Sequence, residues 1–238
     1  MGFKYAVVGG GRQGTAAAYD MARFGEADSI AIGDVNPAAA EASARRVNRL
    51  VGREVARPAA VDVRNSRQLR EFLEPVESFL SAVPYYFNLD VARAAVDAGA
   101  SMCDLGGNTA QVIEQLKMDQ EAQRAGISIV PDCGQVPGMG TSLAVYAMSL
   151  LDQPEEVYIW DGGLTQNPRL PWNYTLTFNI AGLTNEYYGS TYLLRDWKLV
   201  EVPTLYRVRR DRDPGGREAG GVHHRGRDLD GALHVPGR

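Results

Sequence analysis

The chain has 238 residues, 45% of them apolar and 23% charged, with a formal net charge of −4. Those proportions suit a folded globular protein and give no electrostatic reason to expect nucleic acid or an anionic membrane as a partner. Two cysteines, Cys103 and Cys133, are too few for a disulfide framework and favour a reducing, cytoplasmic setting. The opening MGFKYAVVGGG is too short and too broken by glycine to be a signal peptide or membrane span.

In chain order, FKYAVVG (3–9) reads as a buried strand and 14–24 as a helix with small residues on one side. SIAIGD (29–34) is a second strand, and 37–51 a helix that opens on Pro37. AAVDV (59–63) reads as a third strand, followed by a helix over 66–73. The runs VESFLSAVP, NLDVARAAVDAG, SMCDLGG, TAQVIEQLKMDQEAQRAG and ISIVPD then continue strand, helix, strand, helix, strand. Helices between successive strands predict an α/β fold with a Rossmann-type, doubly wound parallel sheet. A helix from Met139 to Leu151 is expected to bridge to a second region. There EVYIWDGGL, NYTLTFNIAGL and STYLLRDWKLVEV read as strands with no long helix between them. The predicted organisation is a nucleotide-binding domain over 1–138, an incomplete α+β substrate and dimerisation domain over 139–206, and an aberrant, disordered tail over 207–238.

Gly9, Gly11 and Gly14 form G-x-G-x-x-G between the first strand and the first helix, and Asp34 closes the second strand. The first glycine makes the turn, the second admits a pyrophosphate to the backbone, and the third lets helix pack on strand. The helix N-terminus, with Arg12 and Gln13, then faces the phosphates with free N–H groups. A carboxylate at Asp34 accepts both ribose hydroxyls and repels a 2′-phosphate, so NAD is expected in preference to NADP. A glycine-rich turn with a helix-capping Asp is the competing structural reading. Asp62, at the end of the third strand, and Ala82, Val83 and Pro84, at the end of the fourth, join the cofactor set. DLGGN (104–108) and DCGQVPGMG (132–140) place Asp, Asn and glycine at the next two strand ends. Asp132 as a turn or helix cap competes with a catalytic role there.

All three histidines lie beyond residue 222, which leaves no Ser-His-Asp or Cys-His arrangement and no zinc site in the body of the chain. Lysines are limited to Lys4, Lys117 and Lys198, thin support for Schiff-base chemistry. Hydride transfer needs fewer such groups, because the cofactor carries the hard chemistry.

The segments GGGRQGTAAAYDMA, SAVPYYFN, DLGGN, PDCGQVPGMGTSLA, GGLTQNP, WNYTLTFNIAGLTNEYYG and VEVP, spread over residues 3–206, together resemble the saccharopine dehydrogenase-like oxidoreductases. Within them the likeness is greatest to the lysine 6-dehydrogenase type. The resemblance implies a nucleotide domain followed by an α/β substrate and dimerisation domain, a homo-oligomer, and a small amino-acid substrate. The implied reaction is NAD-dependent oxidation of the L-lysine ε-amine to an imine, which hydrolyses to a semialdehyde. Saccharopine-like or carboxyspermidine-like secondary amines, and a non-catalytic NAD-binding remnant, are the alternatives. Candidate substrate contacts are Asp104, Asn108, the stretch Pro137, Gly138 and Met139, and Trp172, Asn173 and Tyr174. Trp172 and Tyr174 serve equally well as core aromatics. Oxidising an amine carbon requires the neutral amine, hence a carboxylate base with a raised pKa; Asp132 is the first candidate and Glu186 the second.

Residues 207–238 break with everything before them: they contain every histidine and no Ile, Phe, Tyr, Trp or Met. Arg, Gly, Asp, Ala, His and Pro in this mixture are what GC-rich DNA spells out of frame. Codons permitted by residues 207–231, read one base later, give EFEEIEIPGVGRLEAFTTAGGTST, an alternating strand, a Pro-Gly turn and a second strand. The tail is therefore expected to be a frame-shifted translation that leaves the second domain short of its later strands, with a disordered tail of mixed charge as the competing reading. Such a chain is expected to assemble poorly and turn over feebly or not at all, while still binding its cofactor.

Overall fold

The structure, a computed structural model, describes residues 2–154, 157, 159, 165–167, 169, 176, 179–195 and 198–204. The chain divides into two compact units, Met1–Pro137 and Gly138–Arg238.

The first unit is built on six parallel strands in the order β3-β2-β1-β4-β5-β6. These are β1 (Phe3–Val8), β2 (Ala27–Asp34), β3 (Ala56–Ala60), β4 (Ser78–Ser81), β5 (Ser101–Asp104) and β6 (Ile129–Val130). Between them run α1 (Arg12–Phe24), α2 (Pro37–Val51), α3 (Ser66–Leu73), α4 (Asn88–Ala98), α5 (Thr109–Leu116) and α6 (Asp119–Ala125). Chain order reverses between β1 and β4, which opens a crevice at their carboxyl ends where doubly wound sheets bind ligands.

Alternation along the strands feeds two cores. Val7, Ile30 and Ile32 join Ala18 and Ala22 of α1 and Ala44 and Val47 of α2 on one face. Ala6, Val8, Phe79 and Met102 join Leu69 and Leu73 of α3 and Val91 and Ala95 of α4 on the other. Phe79, Ile30, Ile32, Leu69 and Leu73 are each almost wholly buried. Each such side chain contributes about 1.5–3 kcal/mol of transfer free energy. Two faces filled in this way hold the carboxyl edge of the sheet rigid, which is what a preorganised binding edge requires.

Two expectations shift within this unit. The third strand begins at Ala56 and ends at Ala60, about three residues before the expected 59–63. Buried Asn48 of α2 sets the start: its Oδ1 accepts from the N–H groups of Val55 and Ala56 at 3.0 and 2.7 Å. Its Nδ2 donates to the Ala56 carbonyl at 2.9 Å. Pro58 fits inside this strand because β3 is an edge strand and that N–H is not required. The expected single helix over 109–126 is two helices. The last turn of α5 tightens as the Met118 N–H donates to the Gln115 carbonyl at 3.0 Å, and Met118 enters the core.

The second unit contains α7 (Met139–Ser149), α8 (Ile180–Glu186) and an antiparallel pair, β7 (Ser190–Arg195) with β8 (Lys198–Pro203). Residues 180–186 are helical, where NYTLTFNIAGL reads as a strand. The Asn179 side chain caps the helix by accepting from the Ala181 N–H at 2.8 Å, a local bond that outweighs the β-branched run before it. STYLLRDWKLVEV is two strands rather than one, paired from Arg195↔Lys198 out to Ser190↔Pro203. Of the expected strands over EVYIWDGGL and NYTLTF only Val157, Ile159 and Leu176 are among the described residues, and the tail 207–238 lies outside them. Among the described residues, no helix is long and apolar enough to cross a membrane.

Candidate functional site at the carboxyl edge of the sheet

The turn from β1 into α1 is held at both ends. The Gly9 N–H donates to the Gly33 carbonyl at 2.7 Å, and the Gly10 N–H donates to Asp34 Oδ2 at 2.8 Å. Gly9 takes φ +109° with its α-carbon against the Ala82 carbonyl, 2.7 Å from where a β-carbon would stand. Gly14 is buried against the Gly9 carbonyl oxygen, which a side chain there would strike. Gly11, by contrast, faces open space, and exposed Arg12 and Gln13 begin α1 beside it. Two glycines close the turn on the protein and one leaves it open, the arrangement a phosphate-bearing ligand needs.

Asp34 ends β2 with its other oxygen, Oδ1, accepting from the Asn36 N–H at 2.8 Å. Asp62 follows β3, and its carboxylate forms a two-pronged pair with Arg64 at 2.7–3.1 Å. That guanidinium holds the Asp62 carboxyl below the usual carboxylate range. Ala82, Val83 and Pro84 lie half-buried after β4, and the Ala82 N–H donates to the Val8 carbonyl at 2.8 Å across the switch point. The edge thus brings together Gly9, Gly11, Arg12, Gln13, Gly14, Asp34, Ala82, Val83 and Pro84, with Asp62 at its outer end.

The loops after β5 and β6 meet on the same edge. Gly106 and Gly107 take φ +72° and +118°. A β-carbon on Gly107 would stand 3.1 Å from Tyr85 Cβ, and one on Gly106 would strike Asp132 Oδ1. The glycine pair is therefore a saddle between the loop after β4 and the segment after β6. Asn108 caps α5, accepting from the Gln111 N–H at 3.1 Å. Asp132 is half-buried in a left-handed conformation, φ +59°. Burial, and then the neighbouring Asp104 charge, raise its pKa above that of an ordinary aspartate.

Asp104 corrects an expectation. It is fully buried, and its oxygens are taken by the Gly106 N–H at 2.7 Å, Gln115 Nε2 at 2.7 Å and the Asp132 N–H at 3.2 Å. In this structure the carboxyl has no surface open to a ligand. Gln115, which sequence reasoning passed over, is its partner; a glutamine three residues before core-facing Met118 was the available signal. Tyr85 is the other residue missed. Burial also pushes the Cys103 thiol up to about 11, so neither packing nor acidity favours it as a nucleophile.

The remaining candidates fall at or after the end of the first unit in the chain. Pro137 ends the first unit, while Gly138 and Met139 open the second, where Met139 begins α7. Glu186 is the last residue of α8. Trp172, Asn173 and Tyr174 fall outside the described residues.

Solved structures place this architecture. Apo saccharopine dehydrogenase (L-Glu forming) from Saccharomyces cerevisiae matches 85% of the chain with 44% of its own length, at 16% identity and a TM-score of 0.58. An NAD binding oxidoreductase from Klebsiella pneumoniae matches 72% of the chain with 46% of its own, at 24% identity and a TM-score of 0.48. Quinate dehydrogenase from Corynebacterium glutamicum, in complex with NAD, matches 55% with 44%, at 22% identity and a TM-score of 0.41. The chain spans less than half the length of each, and the likeness to the yeast enzyme, at 16% identity, speaks to the fold alone. Residues 5–130, more than half of the chain, match the family described as the saccharopine dehydrogenase NADP binding domain. The chain belongs to that family, and its first unit is an NAD(P)-binding domain of the saccharopine dehydrogenase type.

Proposed function

We propose that the chain is an NAD-dependent oxidoreductase of the lysine 6-dehydrogenase type, acting in the cytoplasm on the ε-amine of L-lysine. The observation that carries the chemistry is Asp132, a half-buried carboxyl with a raised pKa on the edge that also bears the glycine turn. NAD is preferred to NADP because Asp34 leaves a carboxylate where a 2′-phosphate would need a cation. When bound there, NAD supplies the hydride acceptor. Gly9, Gly11 and Gly14 give it backbone approach and the α1 N-terminus, and Ala82, Val83 and Pro84 line its passage along the edge. Asp132 takes the proton of the substrate ammonium. With the acceptor in place, the freed nitrogen lone pair would form an iminium C=N bond as the ε-carbon gave up hydride, and water would then release the semialdehyde and ammonium. Glu186 is the second candidate for the base. Trp172, Asn173 and Tyr174 are proposed to bind the substrate, as are Asn108 and the Pro137–Met139 stretch.

Assembly through the second unit is part of this reading. Leu143, Val145 and Tyr146 of α7, and Leu150 just after it, are each more than half exposed, an apolar surface that suits contact with another copy.

The test uses purified protein, NAD and a panel of amines, with absorbance of NADH as readout. A second version, carrying EFEEIEIPGVGRLEAFTTAGGTST in place of residues 207–230, is assayed beside it. L-Lysine is expected to give NADH slowly with the chain as it stands and several-fold faster with the second version. If both bind NAD and no primary or secondary amine reduces it, the amine reading fails and a non-catalytic NAD-binding remnant replaces it.

A further inference from the structure

We propose that Asp104 is a positioning residue whose buried carboxylate clamps the loop after β5 to the segment after β6 and so fixes where Asp132 stands. The inference rests on the reading of Asp132 as the base, and it assigns Asp104 no contact with substrate or cofactor.

The geometry has three parts. Asp104 is 0% exposed, and all of its hydrogen-bond partners given above are N–H donors. Two of those donors are backbone amides, which cannot turn over to become acceptors, so the cage holds the carboxyl oxygens as acceptors in a fixed orientation. One of the amides belongs to Asp132 itself, and one to Gly106, the residue on which the Asp132 carboxyl rests. The Cys133 N–H next along donates to the Asp104 carbonyl at 2.8 Å, so side chain and backbone of one residue hold the same segment. Asp132 is left-handed, and the bond from its N–H to Asp104 holds its segment in that conformation.

Gln115 completes the cage from α5. It is 2% exposed, gives Nε2 to Asp104, and leaves Oε1 without a partner among the described residues. The amide is oriented for the carboxylate at the expense of its own carbonyl.

The clamp has an electrostatic consequence. Among the described residues, the ionisable groups close to the Asp132 carboxyl are Asp104, from β5, and Cys133, from its own segment. Both become negative on ionisation. The buried Asp104 charge therefore pushes the Asp132 proton affinity up, in the direction a base for an ammonium group needs.

Asp104→Asn tests this without turnover. The protein is labelled with 13C at aspartate carboxyls, with Asp132→Asn used to assign the Asp132 signal, and titrated alongside NAD binding and thermal melting. In Asp104→Asn the Asp132 midpoint is expected to fall toward that of an ordinary aspartate, with NAD affinity unchanged within about threefold. An unmoved or higher midpoint in a variant that still melts cooperatively and binds NAD overturns the proposal. Should the variant fail to fold, hydrogen exchange on the unaltered chain decides. The Asp132 and Gly106 amides are expected to be protected at least ~100-fold over free loop amides. Loop-like exchange of the Asp132 amide overturns the clamp. Neither readout involves an amine, so failure of the lysine assay leaves this result standing, and the reverse also holds.

Discussion

Gly14→Val is expected to weaken NAD binding at least ~100-fold, equivalent to about 2.7 kcal/mol. A β-carbon at this position overlaps the Gly9 carbonyl oxygen and stands 2.9 Å from Val7 Cγ1. Neither neighbour has room to move. Gly9 is pinned by its N–H bond to Gly33 and by the Ala82 carbonyl, and Val7 is wholly buried in the core beneath. The only relief is to lift α1 from β1, which exposes Ala18 and Ala22 and moves the helix N-terminus off the phosphate position. Titration with NAD, beside a circular-dichroism check that the sheet survives, reads the effect. Affinity within about threefold of the unaltered chain would mean that the turn does not bind the cofactor.

Asp132→Asn is expected to lower lysine-dependent NADH formation by ~10²–10⁴-fold, the usual worth of a positioned general base. The amide is close in size and keeps the backbone N–H that Asp104 accepts, so NAD affinity stays within a few-fold. The pH profile separates a base from a structural residue. In the unaltered protein the rate climbs as pH rises through the elevated Asp132 pKa, because only the ionised carboxylate accepts a proton. In Asp132→Asn that acidic limb disappears. A variant that keeps full turnover and the same limb would move the base to another carboxylate, with Glu186 the next to test. The assay is best read in the version with EFEEIEIPGVGRLEAFTTAGGTST in place of residues 207–230, where turnover is expected to be greater.

Much of the first unit was legible in the sequence because its local signals agree with one another. Asn36, Pro37 and Gly52 bracket α2: the Asn36 side chain accepts from the Ala38 N–H, and Gly52 turns left-handed at the end. The glycine turn and Asp34 were readable for the same reason, since spacing and strand context coincide there. The third strand was misplaced because its start is fixed by Asn48, a buried amide that nothing in a propensity or a pattern marks as a bracket. Residues 180–186 were misread because one side chain, Asn179, decides helix over strand. The site itself was half legible. A strand ending in Asp is the same string whether the carboxylate meets a ligand or cages its own loop. Only the burial of Asp104 and its three N–H donors separate the two. Asp132, two loops away in the chain, took its character from Asp104, and that proximity is a product of the parallel pairing of β5 with β6.

The proposed preference for NAD rests on one edge of one sheet and on the Asp34 carboxylate at its second strand. Calorimetric titration of the unaltered chain and of Asp34→Ala with NAD and with NADP tests it most directly. Each ribose hydroxyl bond to a charged group is worth about 1.5–3 kcal/mol. The unaltered chain is therefore expected to bind NAD at least ~10-fold more tightly than NADP, and Asp34→Ala to lose that margin chiefly by weakening NAD. Tighter binding of NADP by the unaltered chain, or no binding of either, would contradict it.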